Sequence, residues 1–212
     1  MIKEIKCGKC NKVSRVMDDI NINKVITPHS QGASLYFDLW HFNVQRCSNC
    51  GYTSRDISNC DNLASTNEYC YDQNVLKELR SARDNFIEDY ILASRYYSTI
   101  NDLKNEALCL IQAGDLVYNE IAYWKEYILT EDENCEHLYV FAENLYNDGI
   151  KKLKEYLDVS PKDIDMQLLM VGILSDMDDK EIIASKVIIQ NLKKQVLSNE
   201  QKLILDYLEN EI

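Results

Sequence analysis

Two cysteine pairs, CGKC at residues 7–10 and CSNC at residues 47–50, stand on either side of a 36-residue stretch. Two residues between cysteines let a tight turn aim both thiolates, and often its own backbone amides, at one point. One such turn supplies two of the four positions of a tetrahedral metal ion, and two turns complete the set. Cys7, Cys10, Cys47 and Cys50 are therefore the expected ligands of one ion. Gly51, directly after the second pair, suits the positive backbone angle that such a turn commonly needs. Zinc is the expected metal. Iron is the competing one, because the rubredoxin arrangement also uses two such pairs. Four thiolates leave no vacant position at which water can be activated, so the expected role is structural. The ion would supply folding energy to a segment too short to hold itself together by burial.

Other residues carry less chemistry. Cys60 and Cys70 are ten apart and have no ligand signature; Cys109 and Cys135 read as packing or surface thiols. His29, His41 and His137 are scattered, with no nucleophile or acid–base partner placed beside them in sequence. No phosphate loop or zinc-protease motif occurs. Most of the 14 tyrosines fall at helical spacing, as in SRYYS and IAYWKEYIL, which suggests packing between helices rather than a platform for bases. No catalytic constellation emerges, and a non-enzymatic protein is expected.

The start, MIKEIKCGKC, lacks the basic-then-apolar pattern of a signal peptide. The longest apolar run, LLMVGIL, is far short of the roughly 20 residues of a membrane span. A cytoplasmic location is expected, where thiols stay reduced and eight cysteines argue for metal rather than disulfides. Charge is uneven. Residues 1–60 carry eight Lys/Arg against five Asp/Glu, whereas residues 61–212 carry 15 against 30. Neither part offers the basic face that phosphate neutralisation requires.

Composition divides the chain in two, giving an α+β fold class: a zinc-ribbon-like β domain over residues 1–60 and an all-α array of helical hairpins, tetratricopeptide-like, over 70–212. IKEIKC and NKVSRVM read as short strands flanking the first pair, and TPHSQGAS as a loop. DLWHFNVQRC alternates with Trp40, Phe42 and Val44 on one side, the mark of a half-buried strand running into Cys47. Behind them, capping signals at Thr130/Glu133, Ser160–Pro161, Asp178/Glu181 and Ser198/Gln201 divide the chain into helices near 74–100, 103–128, 132–158, 161–176, 179–196 and 199–211. In the third, Leu138, Phe141, Ala142, Leu145, Gly149, Leu153 and Tyr156 form one apolar stripe. MQLLMVGIL in the fourth is apolar nearly all round, so that helix is expected in the middle of the stack. ALCLIQAG (107–114) and AENLYNDG (142–149) share Ala-x3-apolar-x2-Gly at a 35-residue offset, near the 34-residue tetratricopeptide period.

The pair CGKC, the stretch LYFDLWHFNVQRCSNCGY and the helical EALCLIQAGDLVYNE together resemble a bacterial family known as domain-of-unknown-function family 2225. The resemblance covers roughly residues 5–53 by motif and the helical part by style. It implies a zinc-ribbon-like front with tetratricopeptide-like helices behind, and supports Cys7, Cys10, Cys47 and Cys50 as ligands; it implies no activity. Ser48 stands where such turns usually carry proline.

The function expected from these features is a protein-binding adaptor: helical hairpins leave a groove for a peptide or partner helix, with the ribbon as a rigid end. Its acidic surface, with Glu136 and Glu143 off the apolar stripe as candidate members, suits a basic or neutral partner segment. The alternative is a nucleic-acid-associated zinc-ribbon factor, which the charge disfavours.

Overall fold

The computed structural model describes residues 2–17, 44–60, 73–80, 86–127, 135–175 and 179–211. Four short strands occur among them: β1 (Ile2–Lys6), β2 (Val13–Met17), β3 (Gln45–Arg46) and β4 (Thr53–Ser54). β1 pairs antiparallel with β2 from Ile2↔Met17 to Lys6↔Val13, and β3 pairs with β4 through Gln45↔Ser54 and Arg46↔Thr53. Each hairpin is closed by one cysteine pair, so the cysteine turns are also the turns between the strands. Of the expected strand 38–47, residues 44–47 are described: Gln45–Arg46 form the strand, and Val44, half-buried, precedes it; Trp40, His41, Phe42 and the loop at 27–34 lie outside the described residues.

Seven helices follow among the described residues: α1 (Gln73–Arg80), α2 (Phe86–Thr99), α3 (Leu103–Tyr127), α4 (Glu136–Val159), α5 (Ile164–Ser175), α6 (Asp179–Leu192) and α7 (Asn199–Glu211). The described chain is thus mostly helical, behind small antiparallel β-hairpins. It divides into two compact units, the first ending at Lys152 and the second taking up the chain from Leu153, with α4 running through the division. The domain boundary expected between residues 60 and 70 falls outside the described residues. The packing itself places both cysteine hairpins in one unit with α1, α2, α3 and the first part of α4.

Within the first unit, α2 and α3 form a hairpin. Asn101 takes a left-handed conformation (φ 56°) just past the end of α2. Asp102 then caps α3, its Oδ1 accepting the N–H of Asn105 at 3.1 Å. Of the apolar stripe of α4, Leu138, Phe141, Ala142, Leu145 and Gly149 are buried in this unit; beyond the division Leu153 is buried and Tyr156 half-buried. The echo between 107–114 and 142–149 has a physical explanation. A Cβ added to Gly149 would stand 3.0 Å from the Ile111 nitrogen and 3.2 Å from the Ala107 carbonyl oxygen; one added to Gly114 would meet the Tyr146 ring at 2.6 Å and the Ala142 oxygen at 3.3 Å. Each glycine thus receives the alanine and the apolar residue of the other stretch. The shared pattern is one reciprocal, antiparallel seam at which α3 and α4 approach closely.

In the second unit, α5 packs against α6 and α7, and its residues Met166 to Leu174 are buried in unbroken succession. Two helix starts test the capping signals. Ser198 and Gln201 form the expected reciprocal box: Gln201 N–H donates to Ser198 Oγ at 3.1 Å, and Ser198 N–H to Gln201 Oε1 at 2.9 Å. The Ser160–Pro161 start is corrected. Residues 160–163 form a turn, with the N–H of Asp163 on the Ser160 carbonyl at 3.1 Å, and α5 begins at Ile164. Asp163 is its cap, accepting the Met166 N–H at 3.2 Å while also holding the Tyr156 hydroxyl at 2.7 Å. A serine offers one hydroxyl; the aspartate serves the cap and the preceding helix together. The cap signals at Thr130/Glu133 and Asp178 lie outside the described residues. No helix among the described residues is long and apolar enough to cross a membrane.

Candidate metal centre

The two cysteine turns have the same local construction. In the first, the N–H of Asn11 donates to the Cys7 carbonyl at 2.8 Å and the N–H of Cys7 to the Lys12 carbonyl at 2.9 Å. In the second, Gly51 donates to Cys47 at 2.9 Å and Cys47 to Tyr52 at 2.8 Å. The residue after each pair is left-handed: Asn11 at φ 60° and Gly51 at φ 72°. Glycine adopts this without strain, and asparagine is among the few other residues that tolerate it. The positive angle at Gly51 was legible in sequence; its counterpart at Asn11 was not singled out.

These turns bring Cys7, Cys10, Cys47 and Cys50 together, their four sulfurs all within 4.8 Å of one another. Across the turns, Cys7 Sγ is 3.8 Å from Cys50 Sγ, and Cys10 Sγ is 3.7 Å from Cys47 Sγ. A tetrahedron with metal–sulfur bonds of about 2.3 Å has edges of about 3.8 Å. A disulfide requires about 2.05 Å, and these four cysteines are free thiols. The donor set and spacing therefore fit a single metal ion. Among the described residues, no other group of three or more His, Cys, Asp or Glu side chains makes such a site. Cys60 stands outside the cluster and Cys70 outside the described residues.

Backbone amides are aimed at the sulfurs, as needed to stabilise thiolates. Those of Lys9 and Cys10 reach Cys7, those of Asn49 and Cys50 reach Cys47, and that of Tyr52 reaches Cys50. Burial works against ionising Cys47. The amides of Asn49 and Cys50, with the neighbouring thiols, nevertheless bring its pKa down to about 6. Desolvation and hydrogen bonds from the other three sulfurs push Cys50 up to about 12. A cation bound among the sulfurs would displace the protons for which these thiols compete.

The surroundings hold the two turns in register. The amide of Ser48 donates to Ser14 Oγ at 2.9 Å, and the two serine hydroxyls are 3.1 Å apart. Asn49 Nδ2 donates to the Val13 carbonyl at 2.9 Å. Proline at position 48 would lack the donor, which accounts for serine there. Gly8 lies under residues 57–60: its N–H donates to the Ile57 carbonyl at 2.7 Å, and a Cβ would come within 2.5 Å of the Ser58 oxygen. That contact was not legible, because a glycine inside such a turn is explained as well by the turn itself.

The second cysteine hairpin and the segment after it are seated on α2. Arg46, just before Cys47, places Nη1 3.3 Å from Glu88 and 3.1 Å from Asp89. Burial raises the Asp89 carboxyl and Arg46 opposes it. The Tyr52 ring meets that of Tyr96 edge-on at 5.0 Å, and Tyr97 accepts the Arg55 N–H on its hydroxyl at 2.9 Å. Ile57 is fully buried, its carbonyl accepting the Gly8 N–H. Of the remaining sequence candidates, Cys109 is wholly buried in α3, where burial raises its thiol strongly, and Cys135 is buried before α4. His137 is on the exposed side of α4, and His29 and His41 lie outside the described residues.

No protein-family model, curated protein or solved structure matches this chain. The functional reading rests on the geometry.

Proposed function

We propose that this chain is a non-enzymatic protein-binding adaptor of the cytoplasm, with a structural zinc ion at Cys7, Cys10, Cys47 and Cys50 and a tetratricopeptide-like helical scaffold. The observation that supports the reading is the way the four-sulfur cluster is built into a helical unit: its cysteines are turn residues, and the second hairpin with the segment after it rests on α2 through Arg46, Tyr52 and Arg55. An ion among four thiolates has no position left for substrate, so it serves to fix the two hairpins. Zinc is preferred over iron because a site joined to a helical scaffold has an evident structural use and no evident route for electrons. The resemblance to domain-of-unknown-function family 2225 implies a zinc-ribbon-like front with tetratricopeptide-like helices and adds no activity. A nucleic-acid role is disfavoured by the net charge of −12.

The experiment is affinity capture from the native cell, followed by reconstitution of the complex from purified components. Direct binding of a protein partner, lost when the helical scaffold is unfolded, supports the adaptor. Absence of any reconstituted complex, alongside turnover of a small molecule by the pure protein, would overturn it.

A further inference from the structure

The first unit carries a row of tyrosines that core packing leaves half-exposed. Tyr118 on α3 lies between Tyr139 and Tyr146 of α4, with ring centroids 5.9 and 5.7 Å away and interplanar angles of 53° and 54°. All three rings are only partly buried. The row is set rigidly: Gly114 has no side chain, and a Cβ there would meet two carbons of the Tyr146 ring at 2.6 and 2.9 Å. Tyr146 thus occupies space that the reciprocal glycine seam provides. Rigid aromatic rings with one face open lose little entropy on binding, which is why they anchor interfaces.

Carboxylates border the rings. Glu143 is exposed on α4 beside Tyr139 and Tyr146, and Asp115 lies one turn before Tyr118 on α3. After burial, these two carboxylates are among the charges that raise the Tyr118 phenol, so they act on the ring row itself. The chain also supplies a cation of its own: Lys125 Nζ stands 4.7 Å from the centroid of Tyr139. An aromatic face beside carboxylates attracts a cation through both the ring quadrupole and the net charge.

From this juxtaposition we infer that the Tyr118–Tyr139–Tyr146 row, with Glu143 and Asp115, is a docking surface for a basic segment of a partner protein, whose Arg or Lys side chains lie over the tyrosine faces. The occupant is chosen by charge complementarity, because residues 61–212 carry 30 acidic side chains against 15 Lys/Arg. Lys125 marks the mode of contact and covers the end of the row, so an incoming cation competes with it at Tyr139. The inference rests on the adaptor reading and names the chemistry of its partner.

The test is fluorescence anisotropy of the full chain with a labelled peptide of spaced arginines, beside the same peptide with glutamine for arginine. The arginine peptide should bind, weaken with added salt and outcompete the glutamine peptide. Tyr118→Leu keeps bulk but removes the ring face, and should weaken binding about three- to tenfold. Glu143→Gln, at an exposed position, should weaken it about two- to fivefold without touching the fold. Lys125→Gln should strengthen it about twofold or more by uncovering Tyr139. Equal binding of the glutamine peptide, or Glu143→Gln and Tyr118→Leu both at wild-type affinity with near-ultraviolet circular dichroism unchanged, would overturn the surface. If those variants still form the reconstituted partner complex at full affinity, this surface falls and the adaptor reading stands. If no partner complex forms at all, the adaptor reading is what fails.

Discussion

The amide of Ser48, between the second pair of cysteines, donates to the hydroxyl of Ser14 on the strand that leaves the first pair, at 2.9 Å. Ser14 is 1% exposed whereas Ser48 lies at the surface, so this bond ties the exposed second turn to a buried residue of the first hairpin. Four sulfurs can form one coordination sphere only if both turns keep their mutual register, and the backbone-to-hydroxyl bond supplies part of that register.

Ser14→Ala leaves the Ser48 amide without this acceptor. The expected cost is about 1–2 kcal/mol of stability, with a metal affinity lower by about tenfold, as is typical when a group supporting a ligand is removed. Chelator competition followed by colorimetric metal release measures the second effect. Wild-type retention of metal would show that the hairpins are aligned by other contacts.

Gly149→Ala sets two effects against each other. Alanine is the better helix former by about 1 kcal/mol. The new Cβ, however, would lie 3.0 Å from the Ile111 nitrogen and 3.2 Å from the Ala107 oxygen, and backbone cannot swing aside as a side chain can. Overpacking of this kind costs about 1–3 kcal/mol, so a net loss of about 1 kcal/mol is expected in urea unfolding. A gain in stability would mean that α3 and α4 separate easily at this seam.

That seam also shows what the sequence conveyed and what it did not. The four clustered cysteines were legible because Cys-x2-Cys spacing and Gly51 specify a local turn, and the Ser198/Gln201 box because capping is local too. Ala107, Ile111, Gly114 and their counterparts Ala142, Tyr146, Gly149 were visible as a pattern, but spacing alone does not say whether two similar stretches repeat a unit or face each other. Asp163 caps α5 in place of Ser160 because its carboxylate also holds the Tyr156 hydroxyl, a partner on the preceding helix that a local cap pattern does not reveal. The seating of Arg46 on Glu88 and Asp89 joins residues more than 40 apart, a distance over which spacing carries no signal.

Arg46→Met removes the guanidinium facing Glu88 and Asp89, whose side chains are 9% and 17% exposed. Arg46 itself is 40% exposed, so solvent already screens part of the attraction. A destabilisation of about 1–2 kcal/mol is expected, below the 3–5 typical of breaking a fully buried pair. Adding Glu88→Gln and Asp89→Asn should recover part of it, because the uncompensated charge is then gone. A triple variant no more stable than the single one would show that Arg46 acts by packing instead of charge.

Removing the metal should lower the thermal midpoint of the first unit while leaving most helical circular dichroism at room temperature. Tyr52 and Arg55 meet α2 at Tyr96 and Tyr97, but α2 and α3 also bury Ile91, Ala93, Ile111 and Val117. An unchanged midpoint after complete chelation would mean that the hairpins hold their place without an ion.

The most direct measurement is elemental analysis of the chain purified under reducing, chelator-free conditions, beside its Cys47→Ser variant. One zinc per chain in the wild type, lost from the variant, is the expected result. A wild-type chain free of metal, or zinc retained in full after Cys47 is replaced, would contradict a centre built from Cys7, Cys10, Cys47 and Cys50.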